Sequence, residues 1–375
     1  MSTADKPKES LAEALQRVHP ELDAVRDAAT EPVYLVGGAV RDLLFGRRAD
    51  IDLVVEGDAA ALASRLGADA VSHERFATAK VSLDGLRVDI AAARTESYPH
   101  PGALPVVEPA ARIEDDLARR DFTVNAMAIP LRGGTALIDP HGGQADLEAG
   151  LLRVLHPHSF VDDPTRALRA ARYAARFDFE LEAETETLLR GADLGTVSAD
   201  RREAELLRLA GEAEAPRALS LLSEWGLVDL RQGGAQMTAE LNGLLQISPW
   251  AEFAPRERAL LTAALGPSGG EEALAEARPE RPSEAVALAA GRDPVELVLA
   301  RALGAEWLDR YLAEWLDVAL EIDGEALLAA GIPQGPAIGR GLDEALRRKL
   351  DGEIAGRDQE LSVALEAARS GDGVA

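Results

Sequence analysis

The chain has 375 residues, more than one ordinary domain holds, and 47% of them are hydrophobic, enough for sizeable cores. It has no cysteine, which excludes disulfides and thiolate metal sites and fits a reducing cytoplasm. Lys and Arg number 40 against 65 Asp and Glu, a net charge of -25 that taken alone argues against a polyanionic partner.

Aromatic residues make up only 4%, and Ala, Leu, Glu and Arg dominate, a mix that favours helix. The start, "MSTADKPKES", carries no apolar stretch behind basic residues, so no signal peptide is expected. No run approaches the ~18 apolar residues of a membrane span. Residues 9–29 predict one amphipathic helix. From Glu31 the pattern turns to short strands at 33–36, 50–55, 80–84, 86–91 and 123–130, with a helical stretch at 57–67. This is a small mixed α/β unit ending near Gly143. From Leu147 nearly every segment has helical periodicity, loosest at 266–284. Neither GxxxxGK nor GxGxxG occurs, so ordinary P-loop and dinucleotide sites are not expected.

Three stretches carry chemistry. In "YLVGGAVRDLLFGRRADIDLVV" (34–55), Asp50 and Asp52 fall two apart on a strand and project together. Two such carboxylates repel, and a hard cation such as Mg²⁺ resolves the conflict; a solvent-facing edge strand would tolerate them as well. Gly37 and Gly38, between strand and helix, offer bare N–H groups to phosphate oxygens, or simply a tight turn. Arg41 and Asp42 follow at once. In "RRDFTVNAMAI" (119–129), Arg119 and Arg120 are donor forks for phosphate. Asp121 and Asn125 can accept from and donate to a ribose 2′-hydroxyl.

In "DDPTRALRAARYAARF" (162–177), Pro164 suits a first helical position and Asp163 the N-cap. Capping alone explains Asp163, but Arg166 stands beside it. A carboxylate accepts from an amino group and a guanidinium donates to a ring nitrogen. Cytosine and adenine both present that donor-then-acceptor edge; uracil and guanine present the reverse and are repelled. Arg166, Arg169, Arg172 and Arg176 share one helix face, a basic stripe for phosphates unless the acidic 178–186 run neutralises it.

Together these stretches resemble the bacterial tRNA nucleotidyltransferase (CCA-adding) and poly(A) polymerase family. The resemblance implies an α+β fold: a small mixed-sheet nucleotidyltransferase head (1–146), then an all-α neck that recognises the nucleobase (147–215) and a helical body and tail that bind tRNA (216–375). It implies that Asp50 and Asp52 hold two Mg²⁺ ions, with Asp89 as a third catalytic carboxylate. Gly37, Gly38, Arg41, Arg119 and Arg120 would bind triphosphate, Asp121 and Asn125 ribose, Asp163 and Arg166 the base, and Arg169, Arg172 and Arg176 RNA or phosphate. The family usually has Glu where this chain has Asp162. "DPHGG" (139–143) resembles the family's hinge, and Arg201 and Glu205 a neck motif that braces the base-reading helix. The implied activity is template-independent addition of CMP and AMP, all or part of CCA, to a tRNA 3′ end from CTP and ATP, in the cytoplasm, with no protein partner or membrane implied. A poly(A) polymerase is the alternative within the chemistry, opposed by the non-basic end "EAARSGDGVA"; a non-catalytic RNA-binding relic is the alternative outside it. The arginines of 112–120 and 166–176 are expected to form a basic cleft on an otherwise acidic protein.

Overall fold

A computed structural model describes residues 10–67, 71–73, 78–83, 85–267 and 269–370. The first nine residues, Asp84 at the end of one expected strand, Ser268 in the expected loose stretch and the last five residues of the non-basic C-terminus lie outside them. The chain forms two compact units, Met1–Val228 and Asp229–Ala375.

The expected 9–29 helix is two helices, α1 (Leu11–Val18) and α2 (Leu22–Ala28). Pro20 separates them, because it disfavours the helical conformation of His19 and has no N–H to give. Strand β1 (Val33–Val36) leads through Gly37 into α3 (Gly38–Leu44). Strand β2 is Ile51–Val55, so Asp50 immediately precedes the strand rather than lying on it. Helix α4 (Ala59–Leu66) follows, then β3 (Val71–His73), β4 (Thr78–Leu83) and β5 (Leu86–Ala92). A hairpin of β6 (Arg94–Ser97) and β7 (Val106–Pro109), then α5 (Ile113–Ala118), lead on to β8 (Ala128–Pro130).

The main sheet runs β3-β4-β5-β2-β1-β8. Its pairs are antiparallel except β2 with β5, which is parallel and sets Asp52 opposite Asp89. Asp89 in turn faces Lys80 on β4. Ile51, Leu53, Val88 and Ile90 are buried, and α4 packs on β4 and β5. Val54 shares the face of Asp52 but joins a core with Ile113 and Leu117 of α5. The face is therefore covered at Val54 and open at Asp52.

The expected 123–130 strand is mostly something else. Residues Thr123–Asn125 form a 3₁₀ turn, and only Ala128–Pro130 pairs with β1. Asp121 Oδ1 accepts from the Phe122 N–H at 2.9 Å and from Asn125 Nδ2 at 3.0 Å, and Thr123 Oγ1 donates to Asp146 at 2.7 Å. Side chains that capture nearby donors in this way compete with the strand ladder.

The "DPHGG" segment ends by starting a helix. Asp139 accepts from the N–H groups of Gly143 and Gln144 at the head of α6 (Gly143–Ala149). The rest of the first unit is helical apart from a two-residue parallel pair, β9 (Leu151–Leu152) with β10 (Glu180–Leu181). Between these strands run α7 (Ser159–Asp162) and α8 (Thr165–Phe177); beyond them come α9 (Ala183–Leu189), α10 (Ala199–Ala210) and α11 (Ala215–Glu224). Helix α8 begins one residue later than expected, with Pro164 just outside it. Its alanines 167, 170, 171 and 174 are buried, and it packs against α10 and α11.

The second unit is helical throughout its described residues. In it the helices Pro336–Leu350 and Arg357–Ser370 pack on one another around Leu327, Ala345 and Ala364.

Candidate active site

All fifteen residues that the sequence singled out line one cleft in the first unit, of about 1360 Å³. The floor is the open part of one sheet face, on the two central strands, where Asp50 and Asp52 flank buried Ile51 and Asp89 lies alongside on β5. This answers why a core strand carries carboxylates: the strand is core on one side and cleft floor on the other. Asp52 is open to the cleft yet closely surrounded by protein. That burial pushes its carboxyl above the usual range; Arg120 opposes the shift, and the charges of Asp89 and Asp50 add to it. Lys80 Nζ stands 3.7 Å and Arg87 Nε 3.4 Å from Asp89. Among the described residues no three acidic, His or Cys side chains form a ready-made metal cluster. Hard carboxylate oxygens suit Mg²⁺, which binds through one or two carboxylates and completes its shell with water and substrate phosphates.

One wall is built on Gly37, whose φ of 66° favours glycine. A Cβ there would collide with Arg120 Nη1. Arg120 donates to Asp116 at 3.0 Å, and Arg119 bridges Asp116 at 2.8 Å and Glu96 at 2.7 Å. Burial opposes ionisation of Asp116, but the two arginines outweigh it and hold its carboxyl below the usual range. Arg41 is buried, donates to Asn125 Oδ1 at 2.6 Å and lies 4.3 Å from the Phe177 ring centre.

Asp121 and Asn125 are knitted into this wall. Arg169 Nε donates to Asp121 Oδ2 at 2.8 Å. Burial works against the Asp121 carboxylate, yet the Arg169 charge, the Asn125 and Arg169 hydrogen bonds and the Arg166 charge hold it at about 2. Arg169 is raised correspondingly, chiefly by Asp121.

The opposite wall is α8. Asp163 Oδ1 accepts from the Thr165 N–H at 3.1 Å, so it does cap, and also from Arg201 Nη2 at 3.0 Å. Arg166 donates to Ser159 Oγ at 2.7 Å and to the Arg119 carbonyl at 2.9 Å, with Tyr98 beside it. Asp163 Oδ2 and Arg166 Nε make no hydrogen bond among the described residues, leaving an acceptor and a donor. Asp162 faces His156 at 4.0 Å rather than Arg166. The arginine stripe pairs with Asp121, Asp42 and Glu212, while the 178–186 acids pair with Arg217, Arg153 and Arg190.

Eleven Arg and Lys against eight Asp and Glu line the cleft, a reversal of the overall acidity. Arg112, expected there, lies outside it and pairs with Asp115. Sequence reasoning missed Arg48, Lys80, Glu96, Tyr98 and Arg208.

Residues 33–153 match the poly(A) polymerase head domain, the class of nucleotide-transferring head that the sheet and its carboxylates define. Over 88% of its length the chain is 36% identical to the CC-adding tRNA nucleotidyltransferase of Deinococcus radiodurans, covering 87% of that protein. Over 93% it is 32% identical to the A-adding tRNA nucleotidyltransferase of Geobacter sulfurreducens, covering 47% of it. A solved CCA-adding enzyme in its apo form superposes with a TM-score of 0.82 at 32% identity, over 96% of this chain and 99% of that one. The chain belongs to the tRNA nucleotidyltransferase family. It spans about half the length of the A-adding relatives from Geobacter and Halalkalibacterium halodurans.

Proposed function

We propose that the protein adds CMP and AMP, as all or part of CCA, to the 3′ end of tRNA from CTP and ATP. The observation that carries the reading is the joining, in one net-positive cleft, of a carboxylate floor with an Asp163–Arg166 pair whose Oδ2 and Nε make no hydrogen bond among the described residues. The RNA 3′-hydroxyl gives its proton to water and its oxygen bonds to the α-phosphorus of the bound nucleotide as the bond from that phosphorus to the β-phosphate oxygen breaks, and pyrophosphate departs. Asp50 and Asp52 would hold Mg²⁺, most simply two ions, with Asp89 as a third carboxylate beside them. Bound there, the metal supplies Lewis acidity that acidifies the 3′-hydroxyl and offsets charge on the leaving group.

The remaining work belongs to the protein. Gly37, Gly38, Arg41, Arg119 and Arg120 bind and orient the triphosphate, with Asp116 and Glu96 fixing the two adjacent guanidiniums. Asp121 and Asn125 border the ribose. Asp163 accepts from the amino group of C or A, and Arg166 donates to the ring nitrogen. Arg169, Arg172 and Arg176 carry phosphate charge. The functional division is a head at 1–146, a neck at 147–215 and a body and tail at 216–375, in the cytoplasm with its substrate.

Extension of three tRNA substrates, ending before CCA, after C and after CC, tests this with single labelled nucleotides and Mg²⁺. Completion of the first to CCA defines a full CCA-adding enzyme. A stop after CC, or A added only to the CC-ended substrate, defines a partial activity. Long A tails on any RNA favour poly(A) polymerase, and no incorporation favours a binding relic. Asp50→Ala is expected to lower CMP incorporation by about 10³-fold or more; unchanged incorporation sinks the metal assignment.

A further inference from the structure

Beside the main cleft, and sharing Arg176 with it, lies a second pocket of about 380 Å³. Its wall is aromatic. Phe45, at the end of α3, is 40% exposed. Its ring stacks on Phe177 at 6.1 Å between centres and 17° between planes, and Phe177 stacks on Phe179 at 5.4 Å. The Arg47 guanidinium lies 5.4 Å from the Phe45 ring centre and makes no ion pair among the described residues. The rim holds Arg176, Arg217, Asp178 and Glu214, and Arg217 is paired to Asp178 at 2.6 Å. None of the catalytic roles above uses Phe45 or Arg47.

An exposed ring backed by Phe177 and capped by an arginine with no ion pair among the described residues suits a nucleobase, because a base stacks on a guanidinium plane as on a ring and its strand offers that cation a phosphate. The arginine stripe of α8 runs from Arg166 in the cleft to Arg176 at the mouth of this pocket. We infer that Phe45 and Arg47 form a stacking seat for one unpaired base of the RNA strand, upstream of the 3′ end that reacts in the cleft. The inference rests on the proposed function. It adds a contact to the RNA and none to CTP or ATP.

The test measures tRNA affinity of the full-length protein by filter binding across a salt series, and KM for CTP and ATP beside it. Phe45→Leu keeps an apolar side chain without a π-face and is expected to weaken tRNA binding about tenfold. Phe45→Tyr keeps the ring and restores binding. Arg47→Gln lowers the slope of log affinity against log salt by about one. KM for both nucleotides stays unchanged in all three. If Phe45→Leu binds tRNA like wild type, if Phe45→Tyr fails to restore what Phe45→Leu loses, or if nucleotide KM moves instead, the seat is refuted. Wild-type protein that binds tRNA but extends none of the three substrates refutes the proposed activity and leaves the seat to be judged on binding alone. Wild-type protein that does not bind tRNA refutes both.

Discussion

Two helices in this acidic chain carry clustered cations, and they treat them in opposite ways. In the second unit, the last turn of Pro336–Leu350 holds Arg347, Arg348 and Lys349. Arg347 and Arg348 meet Glu344 at 2.8 and 2.7 Å, within one helical turn, and Lys349 meets Glu360 at 2.6 Å. The hydrogen bonds of both arginines hold the Glu344 carboxyl at about 2. On α8, Arg166 is buried against a hydroxyl and a carbonyl, and Arg169 takes its carboxylate from Asp121, 48 residues away. Arg347 and Arg348 thus find a counter-ion on their own helix, and Lys349 finds one on the neighbouring helix. Arg166, positioned by a hydroxyl and a carbonyl, keeps its charge for a ligand.

Between these two helices the largest expected effect falls on Arg166. Arg166→Ala is expected to cut the preference for CTP over UTP in kcat/KM by about 100-fold; an unchanged ratio would place base selection elsewhere. Asp121→Asn removes the remote counter-ion and is expected to cost about 3 kcal/mol in chemical denaturation, because Arg169 stays without its carboxylate. The same pair has a pH signature. The folded-state carboxyl sits at about 2, below its ordinary 3.8, so its contribution is complete above about pH 4 and is lost as pH falls towards 2. Wild type is therefore expected to lose on the order of 2 kcal/mol more than Asp121→Asn across that window; parallel acid titrations would contradict this.

Smaller effects sharpen the contrast. Arg176→Gln is expected to raise the tRNA KM about threefold and lower the salt slope by about one. Arg347→Gln, in the self-neutralised turn, should leave that slope unchanged and cost less than about 1 kcal/mol of stability. A large loss of tRNA affinity in Arg347→Gln would break the comparison.

The same distinction governs how much the sequence reveals. Strand β1, the two glycines and Asp52 were legible because local pattern and short motifs specify them. The α8 arginines were legible as a face, and all of them reach the cleft. Their partners were not, since Asp121, Asp42 and Glu212 come from other elements. Lys80 reads as one more lysine on a strand until antiparallel pairing sets it opposite Asp89. Residues 123–130 look extended because Val124, Ala126 and Ala128 recur at every second position, but Asp121 and Thr123 spend their side chains holding a turn. Pro20 was a visible break in the first helix that periodicity alone overrode.

The parallel pairing of β2 with β5 has a consequence for how the protein is made. Parallel neighbours cannot be closed by a tight hairpin, and here the connection passes through α4, β3 and β4. Asp50 and Asp52 leave the ribosome well before Asp89, and the three converge only when the chain has threaded back through that crossover. Pairing of this range is slow compared with hairpin formation. The nascent head is thus inert by construction, since a partly synthesised chain carries two of its acids and no floor on which to set them.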